Sequence, residues 1–241
     1  VLLLLAFFSL SAFKTDRVIT VFMIGDSTMA NKTIEGGNLE RGWGHVLAGF
    51  FSEDIRVDNH AQNGRSSKSF IDEGRWEKVI SQVKKGDYVF IQFGHNDEKP
   101  DSARHTDPGT TFDANLRRFV NETRAKGGIP VLFNSIVRRN FIRPQDKDMN
   151  NDARKEPGKE PAAVEGNTLF DTHGAYLDSP RRVAKELGVA FVDMNKITHD
   201  LVEGMGPVES KKLYMWVAPN TCPIAPKGRE DNTHLNIYGA R

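Results

Sequence analysis

Cysteine is nearly absent from this chain: Cys222 stands alone among 241 residues, so no intrachain disulfide can form and the fold must rest on its core. Net charge is absent too. Lys and Arg number 33 and Asp and Glu 32, a formal balance of +1, which leaves no long-range field to recruit a polyanion and argues against nucleic acid as a partner. After Phe13 no apolar run is long enough to span a bilayer, so no membrane insertion is expected of the remaining chain. The HExxH metal pattern is missing, and Gly42-Trp43-Gly44 lacks the third glycine and the strand-to-helix setting of a dinucleotide loop. What is present is an ordinary globular composition, 38% hydrophobic and 9% aromatic, with a length suited to one large domain over 17–241.

The start of the chain differs from the rest. Val1 to Phe13 is almost wholly apolar and carries the small pair Ser11-Ala12, so residues 1–14 read as the remnant of a secretory signal peptide. The alternative is a buried first strand or helix. The signal-peptide reading, with the lone cysteine, predicts a bacterial protein that is exported, to the periplasm or beyond.

Five short apolar runs have strand character: Val18–Ile24, Ile55–His60, Tyr88–Phe93, Pro130–Ile136 and Val189–Val192. Helical spacing separates them over Trp43–Phe51, Trp76–Val83, Phe112–Arg124 and Tyr176–Leu187. Continuous apolar strands are buried on both faces, and their alternation with helices makes the sheet parallel. A three-layer α/β/α sandwich with a five-stranded parallel sheet follows. Gly127-Gly128 and Gly188 are placed to end the third and fourth helices. Between Arg138 and Thr172 the pattern gives way to a polar stretch with three prolines, which reads either as a surface loop or as the rim of a substrate groove.

In an open parallel sheet ligands bind beyond the carboxyl ends of the strands. There lie Gly25-Asp26-Ser27-Thr28, Asn63-Gly64-Arg65-Ser66 and Gly94-His95-Asn96-Asp97, and near the C-terminus comes Asp231-Asn232-Thr233-His234. A hydroxyl needs a base to act as a nucleophile, and a base is oriented by an acid. Ser27, His234 and Asp231 supply the three. The spacing of Asp231 and His234 predicts that they share one face of a helical turn. Taken singly, Ser27 also reads as a helix N-cap, Gly64 as a turn glycine and Asn96 as a loop cap. His95 and Asp97 are metal-ligand types, but no second cluster with metal spacing accompanies them, so no metal is expected. Trp43 and Trp76 fall inside helical patterns and read as core.

The four blocks, in this order and at these positions, resemble the SGNH hydrolases, also called the GDSL family, over nearly the whole chain from Val18. The wordings Gly-Asp-Ser-Thr-Met-Ala at 25–30, Asn-Gly-Arg-Ser-Ser at 63–67, Gly-His-Asn-Asp at 94–97 and Asp-Asn-Thr-His-Leu at 231–235 are similar to the rhamnogalacturonan acetylesterase branch. The resemblance implies a flavodoxin-like fold with strand order 2-1-3-4-5, no metal and no organic cofactor. It implies a catalytic triad of Ser27, Asp231 and His234. It assigns the oxyanion hole to the backbone N–H groups of Ser27 and Gly64 and the side-chain amide of Asn96. It also implies a substrate that is an acetylated polysaccharide or oligosaccharide, with rhamnogalacturonan first. A closing helix is expected after His234, with Gly239-Ala240 at its start.

Arg65 is a candidate for binding a uronic acid carboxylate and Trp216 for stacking on a sugar. Competing readings are a lipid esterase, lysophospholipase or thioesterase of the same fold, which would need a long apolar groove, and a non-catalytic carbohydrate- or flavin-binding module, which would have no use for a base oriented by an acid.

Overall fold

The computed structural model describes residues 17–141 and 167–241. The apolar Val1–Phe13 run and most of the 138–172 stretch lie outside them. Five strands, β1 (Ile19–Gly25), β2 (Ile55–Asn59), β3 (Tyr88–Gln92), β4 (Ile129–Phe133) and β5 (Ala190–Val192), form one parallel sheet in the order β2-β1-β3-β4-β5. Every pairing is parallel, and the register runs from Ile19 opposite Ile55 to Phe133 opposite Val192. This is the doubly wound order expected from the motifs.

The side chains of β1 alternate between two separate cores. Val21 and Met23 join Trp43, Val131 and Phe133 on one face, while Phe22 and Ile24 join Trp76, Val89, Ile91, Phe119 and Leu132 on the other. A strand that feeds both cores must be apolar throughout, which is why these runs do not alternate with polar residues. Trp43 and Trp76 are both buried as expected, and each finds a partner for its indole N–H: Gln92 Oε1 at 2.7 Å and Glu122 Oε2 at 2.6 Å.

Seven helices are described: α1 (Trp43–Val46), α2 (Ser67–Asp72), α3 (Arg75–Ile80), α4 (Thr111–Ala125), α5 (Asp178–Leu187), α6 (Met194–Glu209) and α7 (Ile237–Ala240). Gly188 ends α5 in the left-handed region at φ 60°, and Gly127 follows α4 at φ 73°, as their positions predicted. The helix expected over Trp43–Phe51 is shorter than its pattern, because α1 tightens into a 3-10 turn at Leu47–Phe50. A small antiparallel pair of strands, β6 (Tyr214–Val217) and β7 (Arg229–Leu235), had no counterpart in the sequence reading. It carries half of the site.

Candidate active site

At the end of β1 the chain turns sharply, and the turn is built around Asp26. Its Oδ1 accepts the Thr28 backbone N–H at 2.9 Å and the Thr28 hydroxyl at 2.8 Å, while its carbonyl accepts the N–H groups of Met29 and Ala30. Burial pushes the Asp26 carboxyl up, and the Thr28 hydrogen bonds oppose that rise. Glycine is required at position 25, where a Cβ would come within 2.6 Å of the Gln92 carbonyl oxygen. The turn holds Ser27 nearly buried, with its Oγ 2.9 Å from His234 Nε2.

Asp231 and His234 lie in β7, not on the helical turn their spacing suggested. Residues three apart on a regular strand point to opposite faces, so the strand must be irregular for them to meet. It is: Tyr214 pairs with Leu235 while Met215 pairs with Asp231, leaving residues 232–234 looped out opposite a single peptide of β6. Asp231 Oδ1 stitches this bulge by accepting the backbone N–H groups of Thr233 at 2.8 Å and His234 at 2.9 Å. Its Oδ2 lies 2.9 Å from His234 Nδ1. A carboxylate only accepts, so Nδ1 carries the imidazole proton and Nε2 presents a lone pair to the Ser27 hydroxyl.

Charged groups surround this relay. Arg229 bonds to Asp231 Oδ2 and reaches Glu40 Oε2 at 2.7 Å, and Lys32 Nζ bonds to Glu40 Oε1 at 2.8 Å. Burial works against the Asp231 carboxylate, yet the His234 N–H groups and Arg229 hold it well below the usual carboxylate range. Glu40 is likewise opposed by burial but held low by His234, Lys32 and Arg229. Neither Glu40 nor Arg229 stood out in the sequence. They are 189 residues apart, and Glu40 reaches the site through a bridge between its backbone and that of Asn236.

Two loops bring Gly64 and Asn96 to the same cleft as Ser27. Gly64 sits at φ 75°, a conformation that disfavours any side chain, and no protein group accepts its N–H among the described residues. Asn96 is fixed at both ends of its amide, Nδ2 donating to the Arg65 carbonyl at 3.2 Å and Oδ1 accepting from Arg104 at 3.4 Å. One N–H of that amide remains for the cleft. Asp97 ties the two loops together: its carboxylate accepts the N–H and hydroxyl of Ser67, the N–H of Gly94 and the hydroxyl of Thr106. Its oxygens are thus occupied, and His95 Nδ1 is paired with His173, so the two do not converge on a metal position. Among the described residues no group of three or more His, Cys, Asp or Glu side chains is arranged to hold a metal ion.

Ser27, Glu40, Asn63, Gly64, His95, Asn96, Arg104, Thr233 and His234 together line a cleft of about 260 Å³. Arg65 does not line it. Its guanidinium is spent on Glu73, with Nε 3.1 Å from both oxygens, and on the Asn63 carbonyl at 2.9 Å. Arg104 occupies the cleft in its place. Trp216 also stands outside, donating its indole N–H to Asn232 Oδ1 at 2.9 Å with Arg139 and Lys211 over its ring. In that position it braces the 232–234 bulge, and its ring is covered by cations where a sugar would have to stack. The expectation that the 138–172 stretch forms the rim falls largely outside the described residues.

A hydroxyl, an imidazole and a carboxylate hydrogen-bonded in series, at the carboxyl edge of a doubly wound sheet, make this an ester hydrolase of the serine type. The chain belongs to the GDSL-like Lipase/Acylhydrolase family, whose model matches residues 23–240. It is 39% identical over 224 residues to rhamnogalacturonan acetylesterase RhgT of Bacillus subtilis (strain 168), covering 93% of this chain and 85% of that protein. It is 27% identical to a rhamnogalacturonan acetylesterase of Emericella nidulans, over 98% of this chain and 86% of the relative. Among solved structures, the Bacillus subtilis protein YxiM superposes with a TM-score of 0.71 at 22% identity, over 92% of this chain and 52% of that one, a likeness of fold alone.

Proposed function

We propose that the protein removes O-acetyl groups from a carbohydrate, with the rhamnogalacturonan of pectin as the polymer, through an acetyl-enzyme on Ser27. The observation that carries this reading is the unbroken series Ser27 Oγ to His234 Nε2 and His234 Nδ1 to Asp231 Oδ2, each link 2.9 Å. The relatives named as rhamnogalacturonan acetylesterases support the substrate class. The polar lining of the cleft favours a hydroxylated substrate over a lipid chain. The catalytic unit in this reading spans 17–241, and the apolar Val1–Phe13 run supports export to where such a polymer is met.

The chemistry runs in two halves. Ser27 Oγ attacks the ester carbonyl carbon while its proton passes to His234 Nε2, and Asp231 stabilises the imidazolium that forms. The carbonyl oxygen becomes an anion, met by the backbone N–H groups of Ser27 and Gly64 and the Asn96 amide. Collapse breaks the bond to the sugar oxygen, which takes the proton from His234 and leaves as a free hydroxyl. Water then gives a proton to His234 and attacks the acetyl-serine. The second oxyanion collapses to acetic acid, which ionises to acetate in solution, and Ser27 regains its proton from His234.

The test is acetate release from acetylated pectins and acetylated xylans, alongside para-nitrophenol release from para-nitrophenyl esters of rising acyl length. Acetylated rhamnogalacturonan is expected to have the highest kcat/KM. A protein that cleaves long acyl esters and leaves every acetylated polysaccharide untouched would be a lipid esterase instead.

A further inference from the structure

A second imidazole chain reaches the cleft beside the Ser27 relay. His95 lies between the Gly94 and Asn96 positions of the β3 loop, is only 3% exposed, and lines the same cleft as Ser27 and His234. Its Nδ1 is 3.0 Å from His173 Nε2, with the two rings inclined at 64°. Asp171 stands 3.4 Å from the other nitrogen of His173 and accepts the backbone N–H groups of His173 at 3.0 Å and Gly174 at 2.7 Å. Burial opposes the Asp171 carboxylate, but these partners hold it down at about 2, so it is an anion at neutral pH.

The anion biases the protons along the chain. Asp171 meets His173 Nδ1 as a charge contact without hydrogen-bond geometry, and a nearby anion favours the tautomer with the proton on His173 Nδ1, which leaves Nε2 as an acceptor. His95 must then carry its own proton on Nδ1, which leaves Nε2 with a lone pair. Burial, together with the nearby His173 and Arg138, holds His95 well below the ordinary imidazole range, so that lone pair stays free of a proton. Nε2 is buried and has no partner among the described residues. Buried acceptors are rarely left unpaired, and the space that His95 borders is the cleft.

We infer that His95 Nε2 accepts a hydrogen bond from a free hydroxyl of the sugar that bears the acetyl ester, making His95 a specificity residue for polyhydroxylated alcohols. The inference rests on the carbohydrate-ester reading and deepens it. Ser27, His234 and the oxyanion donors act on the acetyl group, common to all acetate esters, whereas His95 reads the alcohol. Sites that pair a substrate hydroxyl discriminate strongly against analogues lacking it, because the protein group is then left unpaired.

The test uses a mono-O-acetyl pyranoside with a free hydroxyl on the neighbouring carbon, its deoxy analogue, and para-nitrophenyl acetate. His95→Asn retains a polar atom at the position of Nδ1, and so the His173 contact, but has nothing at the position of Nε2. His95→Gln carries a polar atom near the position of Nε2. In the native protein the deoxy analogue is expected to lose at least about tenfold in kcat/KM relative to the hydroxyl substrate. His95→Asn is expected to lose a similar factor on the hydroxyl substrate and to show no further loss on the deoxy analogue. Its loss on para-nitrophenyl acetate is expected to be several-fold smaller, and His95→Gln to recover part of the sugar activity. Equal losses on all three substrates, or a deoxy penalty of full size surviving in His95→Asn, would overturn the inference and leave the esterase reading standing. A native protein that hydrolyses para-nitrophenyl acetate but neither pyranoside overturns the carbohydrate reading, and this inference with it.

Discussion

Ser27 differs from alanine by one oxygen, and that oxygen has one partner among the described residues, His234. Ser27→Ala is therefore expected to fold with a nearly unchanged melting temperature while losing roughly a thousandfold or more in kcat, the remainder coming from donors that still face the carbonyl. Appreciable turnover by the folded variant, measured against a blank expression preparation, would remove Ser27 from the mechanism. The groups around His234 make a subtler prediction with two opposite signs. Glu40 and Arg229 bond to each other and act on the same relay, Glu40 as an anion near the imidazole and Arg229 as a cation on its carboxylate partner. An anion favours the imidazolium and a cation disfavours it. Glu40→Gln is expected to move the acid limb of the kcat/KM profile to lower pH, and Arg229→Gln to move it to higher pH. Profiles that shift together, or stay put, would show that the pair only braces the loop.

Elements matter here mainly through what joins them, and Asp97 joins the loop after β3 to the start of α2. The capping box of Ser66 and Ser69 sets where α2 begins, and Asp97 receives the N–H and hydroxyl of the next residue, Ser67. Burial pushes the Asp97 carboxyl up to about 7 against those donors, whereas the unfolded chain keeps the ordinary value of 3.8. The folded state then holds the proton more tightly, so this contribution to stability is fully present below pH 3.8 and lost as pH rises towards 7. With Asp97→Asn as the permanently neutral reference, the unfolding free energy of the native protein relative to the variant is expected to fall across that window in urea titrations. A flat difference would mean that the four donors offset burial and leave the folded carboxyl at its ordinary value. The same elements show what the sequence could convey. The five sheet strands were legible because burial on both faces makes each an unbroken apolar run. β7 was not: Arg229, Glu230, Asp231, Asn232, Thr233 and His234 are polar because the strand carries a site, and they hide its extended backbone. The three-residue spacing of Asp231 and His234 fits a helical turn as well as a bulged strand, and only the register with β6 decides between them.

At the scale of the whole molecule, the site is a polar cleft on the rim of the sheet and the apolar mass lies in two separate cores. Of the candidate site residues, Ser27, Asp231 and His234 were legible because a serine nucleophile needs a base and the base an acid, and Gly64 and Asn96 because their short blocks resemble those of the family. The Glu40–Arg229 pair and the Asp171–His173–His95 chain were not, since each is assembled by the fold from distant segments; His95 stood in a motif block, but nothing local tied it to Asp171 and His173. The division between polar rim and apolar core also fixes acyl preference. In an apolar channel every added methylene would contribute about 0.8 kcal/mol to binding, close to fourfold in kcat/KM. Among the cleft residues Glu40, Asn63, His95, Asn96, Arg104 and Thr233 there is no large aliphatic side chain to receive a methylene, so lengthening the acyl group exposes apolar surface or displaces bound water without return. In the para-nitrophenyl series kcat/KM is expected to be highest for acetate and to fall steadily through butyrate to octanoate. A rise of about fourfold per methylene would instead require an apolar channel continuous with the cleft, and would mark the alcohol side, not the acyl side, as the part of the substrate left in water.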